Sequence, residues 1–157
     1  MAPASGNTTN NDRPTLRQAR SSDWDNVRTL LLDAGLPVAD LGPSRLGDFL
    51  IAEDEGLIVG LIGLELLDTL GLLRSLVVHK SVRGGGVGSS LLAALEAAAR
   101  AVGVAELWLL TIDAERFFER QGFQIVARSL APDAIRTTAE FSDLCPGTAY
   151  LMRKTIK

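Results

Sequence analysis

One cysteine, Cys145, and one histidine, His79, are all that the chain carries of the two strongest metal-binding residue types. A lone thiol forms no internal disulfide, and neither residue supplies the ligand spacing of a zinc site. A Ser-His-Asp triad would have to be built around His79 alone. Metal catalysis is therefore not expected, and no residue is assigned as a metal ligand. Runs of Lys and Arg interleaved with aromatics are missing, and the 157 residues sum to a net charge of −3. A nucleic-acid partner, which needs a positive face to displace counterions, is not expected. The longest apolar stretches are strand-length pieces broken by Asp, Glu and Gly, so no segment reads as a membrane span. No signal peptide is recognisable, and with a single thiol the expected location is the cytoplasm. Aromatic residues make up only 5% of the chain against 46% apolar residues overall. Leu, Ala and Val must fill the core, and the length suits one domain.

Residues 1–14 (MAPASGNTTNNDRP) are polar and nearly free of large apolar groups. Such a segment cannot bury enough surface to offset its ordering entropy, so a disordered tail is expected there, followed by a single domain over residues 15–157. A strand is predicted at 15–19. Ser22 is placed as the N-cap of a helix carrying Val27, Leu30, Leu31 and Ala34, ended by Gly35 and Pro37. Residues 36–48 read as irregular or short helical. Three strands follow, at 49–52, 57–66 and 72–78, joined by turns at 53–56 and 68–71, and should be antiparallel neighbours. A helix with Leu91, Leu92, Leu95, Ala98 and Ala99 on one face runs to Gly103. Then come a strand at 105–110, a helix from Asp113 to Gly122, a strand at 123–126, a helical stretch at 132–144 and a strand at 149–154 that closes the sheet. The fold class is α/β (α+β): a mixed, mostly antiparallel sheet flanked by helices.

The loop Arg83-Gly84-Gly85-Gly86-Val87-Gly88 joins an apolar strand to an amphipathic helix. Glycine allows a sharp turn and close approach of backbone to a ligand. The N–H groups at the helix start then face an anion, aided by the helix dipole. Arg83 adds a fork suited to phosphate oxygens, and Ser89 a hydroxyl. A plain glycine-rich turn is the bland alternative. A nucleoside-triphosphate loop would need Lys before the Ser or Thr, and Gly88 is followed directly by Ser89. A dinucleotide fingerprint would need Gly where Leu91 stands, and a parallel strand at the domain start.

The form Arg83-x-x-Gly86-x-Gly88 after Leu76-Val77-Val78 resembles the cofactor motif of the GNAT superfamily of N-acetyltransferases. The segment from Thr111 to Phe123 resembles that family's later Asn-x-x-Ala-x-x-Phe-Tyr-x-x-x-Gly-Phe element. The resemblance implies acetyl-CoA as co-substrate. Its pyrophosphate would lie on Arg83, Gly84, Gly85, Gly86, Val87, Gly88 and Ser89, and its pantetheine arm on the backbone of Leu76, Val77 and Val78. Thr111 and Phe118 would also border the cofactor. An N–H of Val77 or Val78 would polarise the thioester carbonyl, and Val77 is the named candidate. Leu73-Arg74-Ser75-Leu76 looks like the acetyltransferase domain of N-acetylglutamate synthase. The stretch from Ala134 to Pro146 is similar to bacterial arsenic-resistance N-acetyltransferases of the second type.

An attacking amine must lose a proton, and the thioester carbonyl must be polarised. Glu65, which interrupts an apolar strand, is the candidate base; a solvated outward Glu is its bland reading. Arg74, with Ser75 beside it, is the candidate clamp for an anionic acceptor; a structural ion pair is the alternative. Phe118 stands where the family often has a Tyr acid, so Tyr150, the only tyrosine, is the candidate acid. Cys145, His79 and Trp108 read as packed or surface residues, and Arg136 with Glu140 as an exposed pair or part of a substrate entrance. The expected acceptor is the primary amine of a small, amino-acid-like molecule, with no membrane partner, and the fold is compatible with a homodimer. A non-catalytic acyl-CoA-binding regulatory module is the alternative, motivated by Phe118; a protein-lysine acetyltransferase is the third reading.

Overall fold

A computed structural model describes residues 14–36, 38–39, 41–139, 141–142 and 147–157. The expectations for the tail before residue 14 and for Pro37, Glu140, Cys145 and Pro146 lie outside the described residues. Seven strands form one sheet: β1 (Thr15–Gln18), β2 (Phe49–Asp54), β3 (Leu57–Leu67), β4 (Leu70–Val78), β5 (Glu106–Thr111), β6 (Gln124–Val126) and β7 (Tyr150–Thr155). Their spatial order is β1-β2-β3-β4-β5-β7-β6. β1 to β4 form an antiparallel meander, and β4 runs parallel to β5. The helices are α1 (Trp24–Asp33), α2 (Val87–Ala101), α3 (Glu115–Arg120) and α4 (Asp133–Arg136). The mixed sheet with flanking helices is the fold class expected from the chain's periodicities.

Several boundaries differ from the sequence reading. Ser22 lies inside a 3₁₀ turn, Ser21–Asp23, instead of capping α1. Asp23 takes over the turn: its carboxylate accepts from the Arg20 N–H at 2.7 Å and is forked by Arg17. The first hairpin turn shrinks to Glu55 and Gly56, both at positive φ, so the strands run longer. Gly71 belongs to β4, where a Cβ would stand 2.7 Å from Leu64 Cδ1 and 3.0 Å from Leu107 Cδ2. α3 begins two residues after Asp113, and among the described residues of the predicted 132–144 helix, Asp133–Arg136 is α-helix, a turn follows at Thr137 and Thr138, and helical geometry returns at Ala139 and at 141–142. β7 does not close the sheet at its edge. It inserts between β5 and β6, pairing antiparallel with both, and β6 holds the edge.

Alternation along the strands divides the core. Ile62, Leu64, Leu73, Leu107, Leu109 and Met152 face α2 and α3, where Leu91, Leu92, Leu95, Phe118 and Phe123 cover them. The opposite face carries two separate clusters. Ile51, Leu61 and Val77 pack under α1 with Val27, Leu30 and Leu31. Leu72, Trp108 and Leu151 pack with Ala131 and Ile135 near α4. Along β4, Arg74 stands between Leu72 of one cluster and Val77 of the other.

Two irregularities in β4 make room for a site. Gly63 pairs with Arg74 and Leu61 with Val77, so Ser75 and Leu76 together oppose one residue of β3. Ser75 sits at φ 58, the left-handed geometry of a bulge. On the other side, β4 pairs with β5 only from Leu70 to Leu72, opposite Glu106 to Trp108. Beyond that point no β4–β5 pairing continues, and the strands splay apart.

Candidate functional site

The segment after β4 is a chain of local devices. The His79 Nδ1 accepts from the Ser81 N–H at 3.1 Å and lies 2.7 Å from Ser81 Oγ, capping the short turn Lys80–Val82. This exposed capping role agrees with a surface histidine. Gly84 at φ 87 and Gly86 at φ 85 then turn the backbone into α2. Nothing lies within 4 Å of where a Cβ would stand at either residue, so glycine is required there by backbone conformation and not by crowding. Gly86 is the N-cap and brings no side-chain cap. The N–H groups of the first turn, from Val87 onward, therefore have no acceptor inside the helix, and the positive end of the dipole coincides with them. The Arg83 Nε donates to the Val78 carbonyl at 3.0 Å, tying the loop's guanidinium to the end of β4. A Cβ on Gly88 would stand 3.6 Å from Val78 Cγ2 and 3.5 Å from the Phe117 ring, so strand, loop and α3 meet at this residue.

These elements enclose a cavity of about 720 Å³. It brings together Leu76, Val77, Val78, Arg83, Gly84, Gly86, Val87, Gly88 and Ser89 from the predicted set. Ala34 and Leu36 border it on the α1 side, and Asp113, Ala114, Phe117 and Arg120 on the α3 side, so it runs along the end of β4 beyond the last β4–β5 pairing. Gly85, Thr111 and Phe118 do not line it. Phe118 is 4% exposed and packs edge-on against Phe117 and Phe123 in the core. Its neighbour Phe117 faces the cavity instead. The Thr111 hydroxyl accepts from the Ala114 N–H at 3.0 Å and shapes the entry to α3.

Val77 and Val78 point opposite ways. The Val77 carbonyl lies 3.2 Å from the Cβ position of Gly60, on the β3 side, and the His79 N–H donates to Val59 O in the same ladder. Residues two apart share a direction in a strand, so the peptide groups of Val77 and His79 serve β3 while those of Leu76 and Val78 face the splay. The side chains agree: Leu76 and Val78 pack on the α2 cluster and Val77 on the α1 cluster. The free N–H donors expected from Val77 thus belong to its two neighbours.

The remaining predicted residues lie outside the cavity lining. Arg74 is 4% exposed, and its Nε donates to Ser75 Oγ at 3.4 Å. Glu65 pairs with Leu72 and Gly63 with Arg74, which puts Glu65 and Arg74 on one face of the sheet, diagonal to each other at the base of the splay. Glu65 is half-buried. Tyr150 pairs with Thr111 at the far tip of β5 and is 41% exposed. Trp108 is a core residue whose Nε1 donates to Glu106 at 3.1 Å. Arg136 donates to the carbonyls of Ala131 at 2.9 Å and Ser129 at 2.6 Å, bracing the preceding loop. Phe117 and Arg120 escaped the sequence reading: they share one face of a six-residue helix, too short for periodicity to mark that face.

Residues 45–125, just over half of the chain, match the family model described as acetyltransferase (GNAT) domain. The chain belongs to this family. Over 82 residues it is 40% identical to an amino-acid acetyltransferase of Azotobacter vinelandii and 41% identical to that of Ectopseudomonas mendocina. These segments cover 51% of this chain but only 19% of either relative, so the chain spans about a fifth of their length. Among solved structures, N-acetylglutamate synthase from Neisseria gonorrhoeae, complexed with coenzyme A and N-acetyl-glutamate, superposes with TM-score 0.79 at 22% identity, over 91% of this chain and 35% of that one. Rv2747 from Mycobacterium tuberculosis, in complex with CoA, superposes with TM-score 0.77 at 24% identity over 90% of this chain and 99% of that one. Likenesses at this identity establish the fold: a GNAT sheet with its flanking helices.

Proposed function

We propose that this chain is an acetyl-CoA-dependent N-acetyltransferase acting on the primary amine of a small, anionic, amino-acid-like acceptor. The observation that carries the reading is the cavity that runs from a side-chain-free helix N-terminus along the unpaired end of β4, where the peptide N–H groups of Leu76 and Val78 are turned away from β3. The residues fit the cofactor. Val87, Gly88 and Ser89 present N–H groups, and Arg83 a cation, to a pyrophosphate. The end of β4, unpaired toward β5, suits a pantetheine arm, which pairs with backbone groups. The cofactor supplies an activated acetyl thioester.

The protein's own groups then do three things. The N–H of Leu76 or Val78 polarises the thioester oxygen within the gap. Arg74, buried on the opposite face beside the bulge, holds an acceptor carboxylate or comparable oxyanion and so orients the amine. Glu65 on the same face takes the amine proton, directly or through water, as the C–N bond forms and the C–S bond breaks. The leaving thiolate is stable enough to depart without Phe118, which is held in the core; Tyr150, at the strand tip, is the remaining candidate acid. The match to amino-acid acetyltransferases supports an amino-acid-like acceptor. Glutamate analogues bearing arsenic or phosphorus are the finer choice that the resemblance of residues 134–146 suggests.

Thiol release from acetyl-CoA with glutamate, phosphinothricin, arsinothricin and simple polyamines tests the reading. Turnover with an amino-acid-like amine is the expected result. Tight acetyl-CoA binding without release for any amine would favour a regulatory module, and transfer only to peptide lysines would replace the acceptor class.

A further inference from the structure

Arg83 is not the only cation on the cavity. Ala114, Phe117 and Arg120 follow one another at three-residue spacing along α3, and all three line it. The Gly88 Cβ position meets both Val78 and the Phe117 ring, so β4 and α3 converge on the first turn of α2. Gln121 fastens the end of α3 there, its Nε2 donating to Ser89 Oγ at 3.1 Å. Arg120 is therefore held beside the first turn of α2, one helical turn beyond Phe117. Asp113, the acid on the same wall, precedes Ala114 at the opposite end of α3.

Given the coenzyme A reading, on which this inference rests, the helix N-terminus and Arg83 already account for the pyrophosphate. Coenzyme A has a second anion, the 3′-phosphate of its ribose, a phosphomonoester with close to two negative charges at neutral pH. We infer that Arg120 receives this 3′-phosphate and makes the site selective for the 3′-phosphorylated nucleotide. The wall supports this placement: repulsion from Asp113 and attraction to Arg120 both draw a phosphate toward the C-terminal end of α3. A guanidinium provides paired donors to a phosphomonoester, and this strengthens the contact beyond a point charge.

Calorimetric titration of the full chain with coenzyme A and with 3′-dephospho-coenzyme A tests the assignment. The native chain should prefer coenzyme A by about tenfold at low salt, the size of one solvent-exposed charge-assisted contact. Arg120→Gln should abolish the preference while leaving the dephosphorylated nucleotide within about twofold of its native affinity. Arg120→Lys, which keeps the charge, should retain part of the preference and guards against misfolding of the Gln variant. Equal binding of the two nucleotides by the native chain would overturn the assignment, as would equal weakening of both by Arg120→Gln. Failure of both nucleotides to bind the native chain would instead overturn the coenzyme A reading itself.

Discussion

The two sides of β4 do their work with different materials. Toward α2 and α3 the site is built from backbone: left-handed Gly84 and Gly86, the helix N–H groups and the outward peptides of Leu76 and Val78. On the opposite face the proposed acceptor site rests on side chains, Arg74 and Glu65, with Arg74 set between two apolar clusters. A backbone site depends on local conformation, and the side-chain cations Arg83 and Arg120 add to it. A side-chain site depends on which distant elements pack beside it, so acceptor choice can vary while the cofactor half stays constant.

The largest expected effect breaks the side-chain half. Glu65→Gln should lower kcat about 100-fold, within the usual contribution of a general base. Coenzyme A affinity should not move. Activity within threefold of the native chain would make Glu65 a strand residue without a chemical role. Arg74→Met, which keeps apolar volume but loses the guanidinium, should raise the acceptor KM on the order of 30-fold, the cost of losing a buried charge-assisted pair. Unchanged acceptor KM together with lowered Tm would assign Arg74 to structure alone.

The backbone half is broken more gently. Gly86→Ala places an L-residue at φ 85 with open space around its Cβ, so the penalty is purely conformational, about 1 kcal/mol. Because the strain falls on the loop that cradles the anion, coenzyme A affinity should drop about fivefold to tenfold with acceptor KM unchanged. Gly88→Ala is the contrast: its Cβ would meet Phe117 at an ordinary 3.5 Å, and Tm should hold or rise. A fall in Tm for Gly88→Ala as large as that for Gly86→Ala would show that crowding, not φ, governs the loop.

The same contrast decides what could be seen in the sequence. The meander, the crossover and the glycine loop follow from strand alternation, helical spacing and glycine placement, all of them local properties. β7's insertion between β5 and β6 is a long-range pairing that no local pattern encodes. α3 has six residues, too few for periodicity to choose which of Phe117 and Phe118 faces the core. The bulge at Ser75 is a register shift set by β3, and with it the peptide groups of Leu76 and Val78, not that of Val77, turn away from β3. The Arg136 donors reach carbonyls brought near by the loop before it, contacts that helical spacing does not encode. Whatever was misplaced thus depended on a partner distant in the chain or on a choice between adjacent residues.

The smallest effect concerns a part of the α1 side that carries structure without chemistry. Arg17 forks the Asp23 carboxylate with two 3.0 Å bonds and also reaches Glu53, fastening β1, the turn before α1 and β2. The hydrogen bonds from Arg17 hold the Asp23 carboxyl below the usual carboxylate range, despite the opposing effect of burial. A carboxyl whose pKa is lower folded than unfolded stabilises the fold above its unfolded pKa, and that contribution fades as pH falls through the folded value. Asp23→Asn should therefore cost about 1 kcal/mol at pH 7, and the gap to the native chain should close on acidification below about pH 4. Denaturant melts across pH 2–7 measure both. Acetyl transfer at pH 7 should be unchanged, because this strut lies outside the cavity lining and at the β1 edge of the sheet, strands away from Glu65 on β3 and Arg74 on β4. A kcat loss comparable to that of Glu65→Gln would mean that the strut and the acceptor side chains form one unit, and the separation of structure from chemistry on this face would fail.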